Sequence, residues 1–223
     1  MIITKTPLRL SLGGGGTDLY YWYKKYGSFF ISATINKCIF ITISDRKILK
    51  DFWLSYSEIE YIKNISLIKH TIIKKILKNY KIHNGIEIHT ISQVPSNSGM
   101  GSSGALAVGL IKALSVYCNK KISKKSIAEK AFEIEMVINK KNAGKQDQYA
   151  ASYGGFVAVK INKNGSTTVK KIKISKYKVK KLEENLFLIY VKGNRFASDI
   201  LKKQNKLLKE KKSKIYLMKK IQE

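Results

Sequence analysis

The chain has 223 residues, with 43 Lys and Arg against 15 Asp and Glu, a formal net charge of +28, 44% hydrophobic residues and two prolines. That composition excludes a disordered chain and supplies a proper core, as one large domain or two small ones. No apolar run approaches the roughly 20 residues that span a bilayer, and no signal-peptide pattern opens the chain, so a soluble cytoplasmic protein without a membrane partner is expected.

Cys38 and Cys118 lie in apolar runs without metal-ligand spacing and read as free thiols. The positive field would attract nucleic acid or any anionic substrate. Arginine, the residue favoured for reading bases, occurs only at Arg9, Arg46 and Arg195, and the lysines are spread along the chain. A nucleic-acid partner is therefore the least favoured use of the charge.

In chain order, Ile2 to Leu12 reads as a strand with Leu8, Leu10 and Leu12 on one face. It runs into Gly13-Gly14-Gly15-Gly16-Thr17-Asp18. Successive glycines lose much conformational freedom on folding, which points to a ligand or another chain segment lying against this backbone. Asp18 offers a carboxylate to hydroxyls, and Thr17 or Asp18 can also cap a helix over Leu19 to Lys25. Ser28 to Ile35 and Lys37 to Asp45 read as two β segments broken at Asn36, and Asp51 to Tyr56 as a weaker third. Ser66 to Tyr80 has the spacing of an amphipathic helix.

Gly85 to Ser92 then alternates as a strand, and Ala105 to Leu114 reads as a mostly buried helix. Between them lies Val94-Pro95-Ser96-Asn97-Ser98-Gly99-Met100-Gly101-Ser102-Ser103-Gly104. A strand, a glycine-serine turn and a helix start suit phosphate binding, because glycines let backbone N–H groups converge and the helix adds its positive end. The alternative is a loop ending in a serine N-cap. The stretch fits neither the Walker A loop nor the dinucleotide fingerprint.

Ser123 starts another helix, in which Glu133 and Glu135 are two apart and cannot face the same way. At most one points into a site; the other reading pairs them with surface lysines. Asn142 to Ala151 reads as a tight turn and a short helix holding Asp147 among amides. Gly154-Gly155 leads into a strand over Phe156 to Ile161, followed by β segments over Thr167 to Ile174 and Leu186 to Val191. From Phe196 a lysine-rich helix runs to the last residue without a stop signal, so the sequence is expected to end before its fold does.

Three of these stretches resemble the motifs of the GHMP kinase superfamily. Pro7 to Asp18 is similar to the first motif, and Pro95 to Ala105 to the second, P-x-G-x-G-L-G-S-S-[SA]-A. Gly144-Lys145-Gln146-Asp147-Gln148-Tyr149-Ala150-Ala151, Tyr153-Gly154-Gly155-Phe156 and Gly193 to Leu201 resemble the branch that phosphorylates D-glycero-D-manno-heptose 7-phosphate at the anomeric hydroxyl, for surface-polysaccharide synthesis.

The resemblance implies an α+β fold like domain 2 of ribosomal protein S5, a mixed β-sheet with helices on one face. Residues 1–195 would form the amino-terminal ATP-binding and catalytic domain, and 196–223 would open a truncated carboxy-terminal ferredoxin-like domain. It also implies ATP and Mg²⁺ as cofactors and a sugar phosphate as substrate. Asp147 would be the catalytic aspartate, with Arg9 keeping it ionised. Gly15, Gly16, Thr17 and Asp18 would bind the sugar. Pro95, Ser98, Gly99, Met100, Gly101, Ser102, Ser103 and Gly104 would bind ATP, and Ser103 with Glu135 would hold Mg²⁺.

Two positions depart from the second motif: Asn97 replaces a glycine, and Gly104 replaces Ser or Ala, which is expected to loosen the first helical turn. The family's third motif has no counterpart here. The readings carried forward are an active sugar-phosphate kinase, an inactive remnant or half-enzyme needing a separate carboxy-terminal polypeptide or a homo-oligomer, and a basic nucleic-acid binder.

Overall fold

A computed structural model describes residues 1–96, 98–140, 142–189 and 212–221. Its organising strand is β2 (Ser28–Asp45), 18 residues long. Strand β1 (Ile2–Gly13) runs antiparallel along one edge of it. The other edge is shared: residues 28–33 pair with β6 (Phe156–Ile161) and residues 39–45 with β5 (Ile86–Ser92). Strand β3 (Phe52–Ser55) is parallel to β5, β4 (Ile59–Ile62) is antiparallel to β3, and β7 (Thr167–Lys171) closes the far side against β6. The result is a seven-stranded mixed sheet.

The expected break at Asn36 does not occur. Pro7 pairs with Cys38 and Arg9 with Thr34, so the stretch around Asn36 bulges out of register while the strand continues. A bulge inserts unpaired residues without ending a strand, and Pro7 has no N–H to give the ladder at that point.

One face of the sheet is covered. Thr4, Thr6 and Leu8 of β1 and Ile39, Ile41 and Ile43 of β2 are buried, whereas Ile3 is 59% exposed on the opposite face. The apolar face expected from Leu8 to Leu12 does not stay in the core: β1 shifts register between Pro7 and Arg9, Arg9 and Ser11 then meet α5, and Leu12 is 45% exposed. Helix α1 (Tyr20–Tyr26) precedes β2, and α2 (Thr71–Asn79) precedes β5. Helix α3 (Ser102–Tyr117) lies over β1 and β2, with α4 (Lys124–Ile138) and α2 packed on it, and α5 (Gln146–Tyr153) beside it on the same two strands. The contact between α3 and the sheet is close enough to require Gly109: a Cβ there would lie 2.5 Å from Thr6 Oγ1 and 3.0 Å from Ile41 Cδ1. Each fully buried Ile or Leu under these helices contributes roughly 1.5–3 kcal/mol.

Other boundaries moved. Helix α2 starts at Thr71 rather than Ser66, because the Glu60 carboxylate accepts the N–H groups of Lys69 (2.7 Å) and His70 (3.2 Å) and holds that backbone out of the helix. His70 Nδ1 then caps it by accepting the Ile73 N–H. Strand β7 ends at Lys171, short of Ile174. Strand β4 and helix α6 (Lys176–Glu184) were not expected from the pattern. Residues 186–189 form no strand, and Phe187 is 87% exposed. Tyr190, Val191 and Gly193 to Leu201 lie outside the described residues. Of the expected carboxy-terminal helix, α7 (Lys212–Lys220) is described. Among the described residues, no helix is long and apolar enough to cross a membrane.

Candidate active site

The first turn of α5 is where the three sequence stretches meet. Its amino-terminal N–H groups have no helical partners. The Gln146 N–H is taken by Asp18 Oδ2 at 2.8 Å, and Gly144 makes room for it, since a Cβ at that position would lie 2.1 Å from the same oxygen. The expected capping of α1 by Thr17 or Asp18 is therefore absent: Leu19 is its N-cap and offers no side-chain hydrogen bond. Asp18 caps a helix far along the chain instead. Thr17 Oγ1 donates to Gly14 O at 2.6 Å and lies 2.9 Å from Ser28 Oγ. Both residues are buried. Burial pushes the Asp18 carboxyl above its ordinary range, against the Gln146 N–H that favours the charged form.

What lies against the tetraglycine backbone is the chain itself. Gly14, at φ 72°, would put a Cβ 2.0 Å from Phe29 O. Gly15 is exposed beside Ser11 and Gln146.

Asp147 projects from α5 onto β1 and the glycine-serine loop. Arg9 reaches it through Nε at 2.8 Å and Nη2 at 2.5 Å, and its Nη1 donates to Gly99 O at 2.7 Å. The Arg9 N–H donates to Met100 O at 3.2 Å. Arg9 thus ties the loop and the aspartate to one strand. The Asp147 side chain remains 28% exposed, open to a ligand.

The loop ends at Gly101, the N-cap of α3, with left-handed φ 76° and no capping side chain, so the serine N-cap alternative is not formed. Gly101 and Gly104 carry the close approach of α5: Cβ atoms there would lie 3.0 Å from Asp147 Cγ and 2.6 Å from Asp147 Cβ. The expected loosening at Gly104 is replaced by a packing requirement, because a larger residue would collide with Asp147. Asn97 lies outside the described residues.

Glu135 reaches the same place from α4, while Glu133 faces solvent. One Glu135 oxygen accepts from Ser103 Oγ and the other from Gln148 Nε2. Burial, followed by the nearby Asp147 charge, pushes the Glu135 carboxyl up to about 7, although both hydrogen bonds favour its charged form. Ser98 Oγ and Ser102 Oγ are buried with no hydrogen-bond partner. Buried hydroxyls normally find one, so two orphaned hydroxyls, Ser98 in the loop and Ser102 in the first turn of the 16-residue α3, fit an anionic ligand.

Among the described residues no group of three or more His, Cys, Asp or Glu side chains gathers to hold a metal. A cation here would be held by the Glu135 carboxylate and the Ser103 hydroxyl, completed by ligand oxygens. That donor set suits Mg²⁺. Pro95 and Ser96 line a cavity of about 480 Å³ together with Ser102 and Ser103 of the first turn of α3 and with Tyr56 and His70.

The pattern did not single out Glu129, Lys145, Gln146 or Gln148. Gln146 Nε2 donates to Ser11 Oγ and Ser32 Oγ, each at 2.8 Å, and Lys145 Nζ lies 2.7 Å from both Glu129 oxygens. Gln148 was visible only as a neighbour of Asp147. The Glu129–Lys145 pairing leaves no periodic trace, because its partners lie on different helices.

Comparison with known proteins matches residues 66–155 to the GHMP kinases N terminal domain model. The chain is 36% identical to a D-glycero-alpha-D-manno-heptose 7-phosphate kinase of Campylobacter jejuni, over 94% of this chain and 66% of that protein. It is 29% identical to a mevalonate kinase of Methanocaldococcus jannaschii, over 73% of this chain and 55% of the relative. Among solved structures, a D-glycero-D-manno-heptose 1-phosphate kinase from B. thetaiotaomicron superposes with a TM-score of 0.75 at 27% identity, over 82% of this chain and 63% of that one. The chain spans somewhat less than two thirds of the length of these relatives.

Proposed function

The chain belongs to the GHMP kinases, and on that premise we propose that it binds ATP at residues 95–104 and transfers the terminal phosphoryl group to a hydroxyl of a heptose phosphate. The observation that carries this is the meeting of Asp147, Arg9 and the loop: a carboxylate 28% exposed is held by a guanidinium that also binds Gly99 O, in a stretch where the Ser98 and Ser102 hydroxyls are buried without a partner. The substrate class rests on the two heptose-phosphate kinases among the relatives. The anomeric hydroxyl of heptose 7-phosphate is the acceptor tested first.

In this reading Asp147 accepts the proton of the attacking hydroxyl. Phosphoryl transfer needs a positioned nucleophile and charge stabilisation more than covalent help from the protein. Arg9 keeps Asp147 aimed, through the contacts of its Nε and Nη2 with Asp147 Oδ1. The amides of the Gly99–Ser103 turn and the hydroxyls of Ser98 and Ser102 hold phosphate oxygens. Ser103 and Glu135 hold Mg²⁺, which when bound neutralises developing charge on the phosphates. Gly15 and Gly16 line the sugar side, and Thr17 and Asp18 act there from behind the loop, through the backbone they brace. The positive net charge draws both anionic substrates.

The test is calorimetry with Mg·ATP, followed by an ADP-release assay with D-glycero-D-manno-heptose 7-phosphate. Saturable Mg·ATP binding and ADP release dependent on the heptose phosphate are expected. Absence of nucleotide binding would sink the proposal, and release with other phosphorylated sugars but not heptose would revise the substrate.

A further inference from the structure

Five consecutive side chains at the start of α5 are each anchored outside the helix. Gln146 is tied to Ser11 and Ser32, Asp147 to Arg9 and Gln148 to Glu135. The other two, Lys145 and Tyr149, share a single anchor, Glu129 of α4. Lys145 Nζ sits 2.7 Å from both Glu129 oxygens and also donates to Gly165 O at 2.9 Å and Thr167 Oγ1 at 3.3 Å. The rings of Phe132, Tyr23 and Tyr149 enclose the ammonium at 5.0, 5.9 and 5.9 Å. The Lys145 side chain is 4% exposed, so it cannot reach a ligand at the Asp147 face.

We propose that the Lys145–Glu129 pair is a clamp that fixes the rotation of α5 about its axis, making both positioning residues for the Asp147 carboxylate.

Residues 145 and 149 are a helical turn apart and share a face, whereas residue 147 lies about 200° around the axis from residue 145. The clamp therefore grips the back of the helix whose front carries Asp147. Burial and the Glu129 carboxylate push the Tyr149 hydroxyl up, so it remains a proton donor to Glu129. Rotation matters because the front has no slack: Gly101 and Gly104 already leave no room for a Cβ against Asp147. A buried ion pair is a poor stabiliser compared with apolar residues of the same volume. What apolar residues would not supply is direction, and a misplacement of about 1 Å at a reacting group can cost on the order of 100-fold in rate.

The inference deepens the kinase reading and rests on Asp147 being the catalytic aspartate. The test is the double variant K145M/E129Q, which removes both charges together. The expected result is a folded protein whose α5 amides, residues 146–153, lose hydrogen-exchange protection relative to those of α4. Its kcat should fall about ten- to 100-fold with KM for ATP within about two-fold of wild type. A folded double variant with wild-type exchange over α5, or with wild-type kcat, overturns the clamp. If wild type itself transfers no phosphoryl group, the kinase reading fails and the exchange comparison alone decides the clamp. Should the double variant not fold, Tyr149→Phe removes one grip while leaving the ion pair, and is read by the same two measurements.

Discussion

The carboxylate of Asp18 accepts the backbone N–H of Gln146, 128 positions further along the chain, at 2.8 Å. This bond joins the tetraglycine stretch to the helix of Asp147 and makes Asp18, a residue of the first motif, the cap of α5. Asp18→Ala should therefore destabilise the protein by about 1–2 kcal/mol, the usual loss for a helix cap. Asp18→Asn, which keeps an acceptor oxygen, should lose less. Gly144→Ala should cost about as much as Asp18→Ala or more, because its Cβ would occupy the position of Asp18 Oδ2. Urea denaturation of the three variants checks the order.

Asp147→Asn should lower kcat by about 10²–10⁴-fold, the usual range for a positioned acid or base, while Mg·ATP binding by calorimetry stays close to wild type. Equal loss of nucleotide affinity would place Asp147 in binding rather than in chemistry.

Glu135 gives the stability of the metal-free protein a pH dependence. Its carboxyl is raised from 4.5 to about 7 in the folded state. Below pH 4.5 both states bind the proton, and the stabilisation is fully present. Between about pH 4.5 and 7 only the unfolded state ionises readily, so stability is lost as pH rises, by about 3 kcal/mol in all. Glu135→Gln cannot ionise and should remove this slope. Parallel stability curves for the two proteins across that window would contradict the assignment.

Gly104→Ala tests the closeness of α3 and α5. The second-motif resemblance allows Ala at this position, but here a Cβ would sit 2.6 Å from Asp147 Cβ. The expected loss is about 1–3 kcal/mol of stability, from overpacking. It should come with a drop in kcat, because the residue displaced is Asp147. A neutral variant in thermal melting and turnover would mean that α5 shifts freely.

Much of the fold was legible because its elements carry local signals. The alternation in β1, the apolar run in α3 and the Ser123 cap of α4 each depend on neighbours a few residues away. The errors fell where distant contacts decide. Asn36 looked like a break because the sequence cannot show that β1 stays paired across a bulge. Ser66 looked like a helix start because the acceptor that holds the following backbone, Glu60, lies in a strand hidden from the pattern.

The sequence by itself determined the family and the short list of chemical groups: two glycine-rich loops and one aspartate, each a contiguous motif. Only the tertiary structure decided what each group touches. It turned Asp18 from a cap of its own helix into a cap of α5, tied Glu135 to Ser103 and Gln148, and buried Lys145 against Glu129. The physical reason is that a motif records local backbone geometry, whereas burial, pairing and pKa depend on segments that folding brings together from far along the chain.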